Sequence, residues 1–247
     1  MKSPRVLITS SLTLVLALST ALAQKADKPW VEWSKKDVQK MLEDSPWAQV
    51  QNDTDTSQMM FSPTSAAGVN GAGSTANDSS RLGQGATNQS VNVKFFVRLF
   101  SARPIRQALV RQMTLQQNLP DEALAKLRQF AEVKSENSII FTLLYESNDQ
   151  RAGNTVMQAL NSNTTASLKN NTYLQRNDGK QLFLEQYVPP GKDGFGARFI
   201  FLKNADDKPF FDAGSGDIRF VAQFPNGFKI DRRFKIANML YRGELEF

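Results

Sequence analysis

Thr172–Val188 reads TYLQRNDGKQLFLEQYV. Two runs of strand-forming residues, Thr172–Arg176 and Gln181–Val188, flank Asn177-Asp178-Gly179-Lys180. Asp-Gly between two such runs signals a tight hairpin, because glycine accepts the positive φ that hairpin turns require. A turn this short joins only antiparallel neighbours. Pro189-Pro190-Gly191 closes the second run.

The pattern continues toward the C-terminus. Gly196–Lys203 and Asp217–Phe224 read as further strands, and Pro225-Asn226-Gly227 as another turn. Phe228, Ile230, Phe234 and Ile236 then alternate with Lys229, Asp231, Arg233 and Lys235, with Arg232 interrupting the apolar face. Asn238–Glu246 is expected to be a last strand.

Upstream, Val91, Val93, Phe95, Val97 and Leu99 share one face of a strand, with Asn92, Lys94 and Arg98 opposite. Ser101 and Pro104 suit a helix start, and Ile105, Leu109 and Met113 recur at helical spacing. A second helix follows Pro120, with Asp121 and Glu122 at its favourable N-terminal end. Ser138–Glu146 (SIIFTLLYE) reads as a central strand. Asn154–Lys169 reads as a helix weakened by its Asn, Ser and Thr content. The expected class is therefore α+β, a mainly antiparallel β-sheet with helices packed on one face.

This main domain spans residues 91–247 and holds 16 of the 17 Phe residues. Residues 62–90 contain five Gly, no aromatic residue, and only Val69 and Leu82 as larger aliphatics. Such a segment cannot bury enough apolar surface to offset its ordering entropy, so a disordered low-complexity linker is expected. Residues 24–61 form an N-terminal segment carrying all three tryptophans, Trp30, Trp33 and Trp47. Within it Ser34 is placed to cap a short helix, with Asp37 three residues on and Val38, Met41 and Leu42 on one side. Ser45-Pro46 ends that helix, and Trp47–Gln51 suggests a short strand.

The first 23 residues have the form of a cleavable export signal. Lys2 and Arg5 precede the mostly apolar run 6–20, and Ala21-Leu22-Ala23 matches a cleavage site between Ala23 and Gln24. The run is about 15 residues, against roughly 20 needed to span a bilayer. The mature chain is therefore expected to be periplasmic or secreted and not membrane-spanning after cleavage.

The full chain has 247 residues, with 30 Lys and Arg against 24 Asp and Glu. Subtracting Lys2 and Arg5 from the 30 leaves 28, a net charge of +4 for the mature part. This weak, dispersed excess does not point to nucleic acid. There are no cysteines and no histidines. Disulfides, thiolate or imidazole metal sites, cysteine nucleophiles and a Ser-His-Asp triad are thereby excluded.

The remaining chemistry is sparse. The tryptophans would serve either as an aromatic platform for a ligand or as an apolar clasp holding the N-terminal segment to the main domain; the clasp is the favoured reading. Asp206-Asp207, Asp212 with Asp217, and Glu244 with Glu246 are the carboxylate pairs from which a hydrolase would have to draw. PPGKDGFGA (189–197) and Gly214-Ser215-Gly216 lack the setting of a phosphate or dinucleotide loop, so no cofactor is expected. Asp212–Asp217 has oxygen ligands and glycines without the EF-hand pattern. Lys229, Arg232, Arg233 and Lys235 would meet an anionic surface or simply solvate an edge strand.

KPWVEWSKKDVQKMLEDSPWAQ (28–49), VKFFVRLFSARPIRQAL (93–109) and FKIANMLYRGELEF (234–247) together resemble a group of uncharacterised exported proteins of soil bacteria. The resemblance implies a bacterial envelope location and carries no activity or site residue with it. The function expected is a non-catalytic binding or interaction protein of the envelope, its partner a ligand or another envelope protein. The alternatives are a carboxylate-dependent hydrolase of polysaccharide and a carrier of a hydrophobic ligand.

Overall fold

The computed structural model describes residues 28–55, 90–135, 137–205, 208–212, 214–225 and 227–247. The expected leader 1–23 with its expected cleavage site at Ala23 and Gln24, nearly all of the expected linker 62–90, and Asp206-Asp207 lie outside the described residues.

The helices are α1 (Lys35–Glu43), α2 (Arg103–Gln116), α3 (Asp121–Glu132), α4 (Gln150–Ser162) and α5 (Thr165–Leu168). Nine strands build two sheets. They are β1 (Ala48–Asp55), β2 (Val91–Leu99), β3 (Ser138–Ser147), β4 (Thr172–Arg176), β5 (Gln181–Phe183), β6 (Gln186–Val188), β7 (Ala197–Leu202), and β10 (Asp217–Gln223) with β11 (Lys229–Lys235). The short pairs β8 (Asn204–Ala205) with β9 (Lys208–Pro209), and β12 (Leu240–Tyr241) with β13 (Glu244–Leu245), form two small ribbons. The first sheet runs β1-β2-β3-β7-β6 and the second β11-β10-β4-β5, every pairing antiparallel. The chain is α+β.

The hairpin at Gly179 (φ 84°) forms as the sequence predicts. The run after it does not stay one strand. β5 pairs with β4 in the second sheet, and β6 pairs with β7 in the first. Leu184 and Glu185 make the crossing. Leu184 N–H donates to Thr172 O (3.0 Å), while the next amide, Glu185 N–H, donates to Ile200 O (2.9 Å) in the other sheet. Leu184 itself is fully buried. A strand that turns a corner in this way lets stacked sheets share one chain without an unpaired backbone group.

Phenylalanines fill the space between the sheets. Phe141 of β3 stacks on Phe220 of β10 (centroids 4.7 Å apart) and leans on Phe234 of β11 (5.3 Å), and Phe199 of β7 meets Phe220 edge-on (5.4 Å). All four rings are buried, and stacked or edge-on pairs at these distances are the favoured geometries. Gly196 (φ 83°) lets the chain enter β7, since a Cβ there would stand 2.3 Å from Leu143 O.

β1 sits at one edge of the first sheet and reaches across to the second. Gln51 donates through Nε2 to Lys229 O (2.7 Å) and accepts from Asp231 N–H (3.0 Å), and Gln49 donates to Arg233 O. The free edge of β11 is thus closed by side-chain amides rather than by another strand, which removes a template for edge-to-edge pairing.

The helices follow local signals closely. Ser34 Oγ accepts from Asp37 N–H (3.2 Å) and Asp37 Oδ2 accepts from Ser34 N–H (2.9 Å), a reciprocal capping box. Val38 and Leu42 of α1 are buried. The expected helix 154–169 is corrected at both ends. Asp149 caps it earlier, accepting from Ala152 N–H (2.8 Å), and it stops at Ser162. Thr164 then starts α5 with its own capping box to Ser167, the competition for backbone groups that Ser and Thr introduce. The expected strand 238–246 instead folds into the β12–β13 hairpin, because Arg242 (φ 53°) and Gly243 (φ 83°) turn the chain.

Candidate functional site

The tryptophans lie in the core. Trp30, Trp33 and Trp47 are only 7, 8 and 4% exposed. Each indole N–H has an acceptor: Glu132 Oε1 of α3 for Trp30 (2.8 Å), Lys28 O for Trp33 (3.0 Å), and Glu246 O for Trp47 (2.7 Å). Burial and spent N–H groups leave no exposed ring face for a ligand platform. Trp30 and Trp47 instead tie the N-terminal segment to α3 and to the end of the chain.

Of the candidate carboxylates, Glu244, Glu246 and Asp212 are held in structural contacts. Ala102, at the N-cap of α2, offers no side-chain cap. Glu246, 2% exposed, supplies one from the far end of the chain by accepting from Arg103 N–H (3.3 Å) and from its guanidinium (2.5 Å). A carboxylate at a helix start also meets the positive end of the helix dipole. Glu244 grips the same guanidinium (3.0 Å). Burial pulls the Arg103 pKa down, and the two carboxylates reverse this and leave it above its ordinary value. Both glutamates thus clamp the first turn of α2.

Asp212 accepts from Ser215 Oγ–H (3.0 Å) and Gly214 N–H (2.9 Å), and these bonds hold its carboxyl below the usual range. Among the described residues no three Asp, Glu, His or Cys side chains come together as a metal would need. The basic cluster is partly neutralised, since Asp231 accepts from Arg219 Nε (2.6 Å) and pairs with Lys229 (3.2 Å), while Arg233 and Lys235 are exposed on the edge strand.

A different site emerges between α1 and α2, over β2. It is a cleft of about 270 Å³. Lys35, Val38, Gln39, Leu42 and Glu43 line it from α1, and Gln112, Leu115 and Gln116 from α2. Its floor is Arg98. The sequence places Arg98 on the polar face of β2, and the structure corrects the implied exposure: α1 covers that face and leaves Arg98 9% exposed. Its cross-strand partners are Ala48 and Thr142, both small, which gives the guanidinium room at the centre of the sheet.

Arg98 donates through Nε to Leu42 O (2.9 Å), near the C-terminal end of α1, and lies 5.3 Å from the Phe96 ring centroid. Its two terminal nitrogens donate to no protein group and are not among the sealed, unpartnered atoms of the interior. Glu43, the nearest acidic side chain on the cleft, pairs with Lys94 (3.2 Å) instead. Burial dominates the electrostatics and lowers the Arg98 pKa to about 10, with Glu43 and Glu146 opposing from beyond ion-pair distance. Sequence reasoning missed this site because an Arg between Val97 and Leu99 reads as a solvated strand face. The available signal was the apolar stripe of α1, which needed a surface to cover.

No protein-family model matches the chain, no curated protein matches it, and no solved structure matches it.

Proposed function

We propose that this chain is an exported, non-catalytic binding protein of the bacterial envelope that takes a small ligand in the cleft between α1 and α2. The observation that carries this reading is Arg98, a buried cation in the lining of the cleft, held by one backbone carbonyl and with two terminal nitrogens that donate to no protein group. Buried charges are ordinarily paired. Here buried Glu246 is engaged on Arg103, and the half-buried Asp231 and Glu43 on Arg219 and Lys94. The leader-like first 23 residues support export, and the lack of His and Cys narrows the catalytic alternatives.

The test is native mass spectrometry of the protein isolated from its own envelope fraction, with N-terminal sequencing of the same sample. The expected result is a chain beginning at Gln24 with one small molecule bound, released by Arg98→Met. An intact Met1 would overturn export. A stoichiometric partner protein over an empty cleft would overturn the site.

A further inference from the structure

We infer that the cleft binds a small monocarboxylate with a short apolar chain, its carboxylate gripped end-on by Arg98. The inference rests on the proposed binding function and names the ligand class. The Arg98 fork is asymmetric in its use. Nε is spent on Leu42 O, which leaves the two terminal nitrogens as an adjacent, parallel pair of donors. That pair matches the two oxygens of one carboxylate, the geometry in which guanidinium recognition is strongest. Lys35 on α1 adds a second positive charge to the cleft, and Gln112 and Gln116 of α2 add neutral donors.

The charge balance favours an anion over a zwitterion. Glu43 is the acidic member of the lining, and Lys94 already neutralises it at 3.2 Å. An ammonium group would therefore find little unspent negative charge. The rest of the lining is Gln39 with Val38, Leu42 and Leu115, and of the apolar three it is half-buried Leu115 that keeps open surface for methylene groups, Val38 and Leu42 being nearly closed off. A phosphate would meet Arg98 and Lys35 but leave the apolar side of the cleft without a partner, whereas a carboxylate on a short aliphatic chain uses both. At about 270 Å³ the cleft lies at the small end of ligand sites.

The experiment is a ¹H–¹⁵N titration of the exported protein at neutral pH, following the Arg98 Nε–H and the amides of α1 and α2. The probes are hexanoate, hexylammonium and inorganic phosphate, each raised to about 20 mM, well above a dissociation constant of about 1 mM. Hexanoate is expected to saturate shifts at Arg98, Val38 and Leu115, and the other two to leave them in place. Arg98→Met should weaken hexanoate about thirtyfold or more, the loss of a charge-assisted pair of bonds. Gln112→Glu, a near-isosteric change that keeps the helix, should weaken it about tenfold by placing a like charge in the cleft. Equal shifts with phosphate, or hexanoate shifts that survive both substitutions, overturn the ligand class. If hexanoate fails while the envelope-isolated protein still carries a cleft-bound molecule, the class alone is wrong. If neither binds, the binding function falls with it.

Discussion

Replacing Arg98 with Met is expected to make the protein more stable while emptying its proposed site of affinity. Lowering this guanidinium from its ordinary value to about 10 corresponds to roughly 3 kcal/mol of unfavourable burial. The sign follows from linkage. A cation whose folded pKa is depressed is disfavoured in the folded state. At neutral pH it is protonated in both states, so the full cost is present and is relieved only above pH 10. Against it stand the bond to Leu42 O, about 1 kcal/mol, and the Phe96 contact, about 0.5 to 1 kcal/mol. Methionine keeps the length and fills the same slot beneath α1. The balance is a gain of about 1 kcal/mol, a rise in Tm of about 2–4 °C for a chain of this size. Urea unfolding at pH 7, monitored by tryptophan fluorescence, measures it directly. A loss of more than about 1 kcal/mol would show that Arg98 is a structural strut, and the case for a ligand-directed cation would fail.

Four further outcomes are expected. Trp47→Phe removes the 2.7 Å donor to the buried Glu246 carbonyl and should lower stability by about 1–3 kcal/mol in the same urea assay. Gly196→Ala forces a Cβ against Leu143 O at positive φ and should cost at least about 2 kcal/mol by thermal melting. Asp231 is held below the ordinary carboxylate range, first by its bonds from Arg219. Its contribution is therefore present above that range and lost as pH falls through the depressed value, and Asp231→Asn should flatten the acid limb of a stability–pH curve. Gln51→Ala strips the amide that occupies Lys229 O and Asp231 N; it should cost about 1 kcal/mol and raise self-association in sedimentation velocity by freeing the β11 edge.

Local chemistry was legible in the sequence wherever it was decided within a few residues. The Ser34–Asp37 box, the Gly179 hairpin and the alternation of Ile230 and Phe234 appear in the structure where spacing places them. Tertiary decisions were not legible. Gln181–Val188 alternates as one strand would, and only the register of β4 and β7 shows that Leu184 is where the chain changes sheets. The tertiary cap of α2 by Glu246 joins residues 143 positions apart, a link no window can contain. Arg98 was misplaced for the same reason, because strand periodicity says which face a side chain takes and not what covers that face.

The crossing at Leu184 also bears on how the molecule comes apart. Two successive amides, those of Leu184 and Glu185, are anchored in different sheets, so neither layer can open without tugging on the other through a single peptide unit. Native-state hydrogen exchange at these two positions should follow global unfolding.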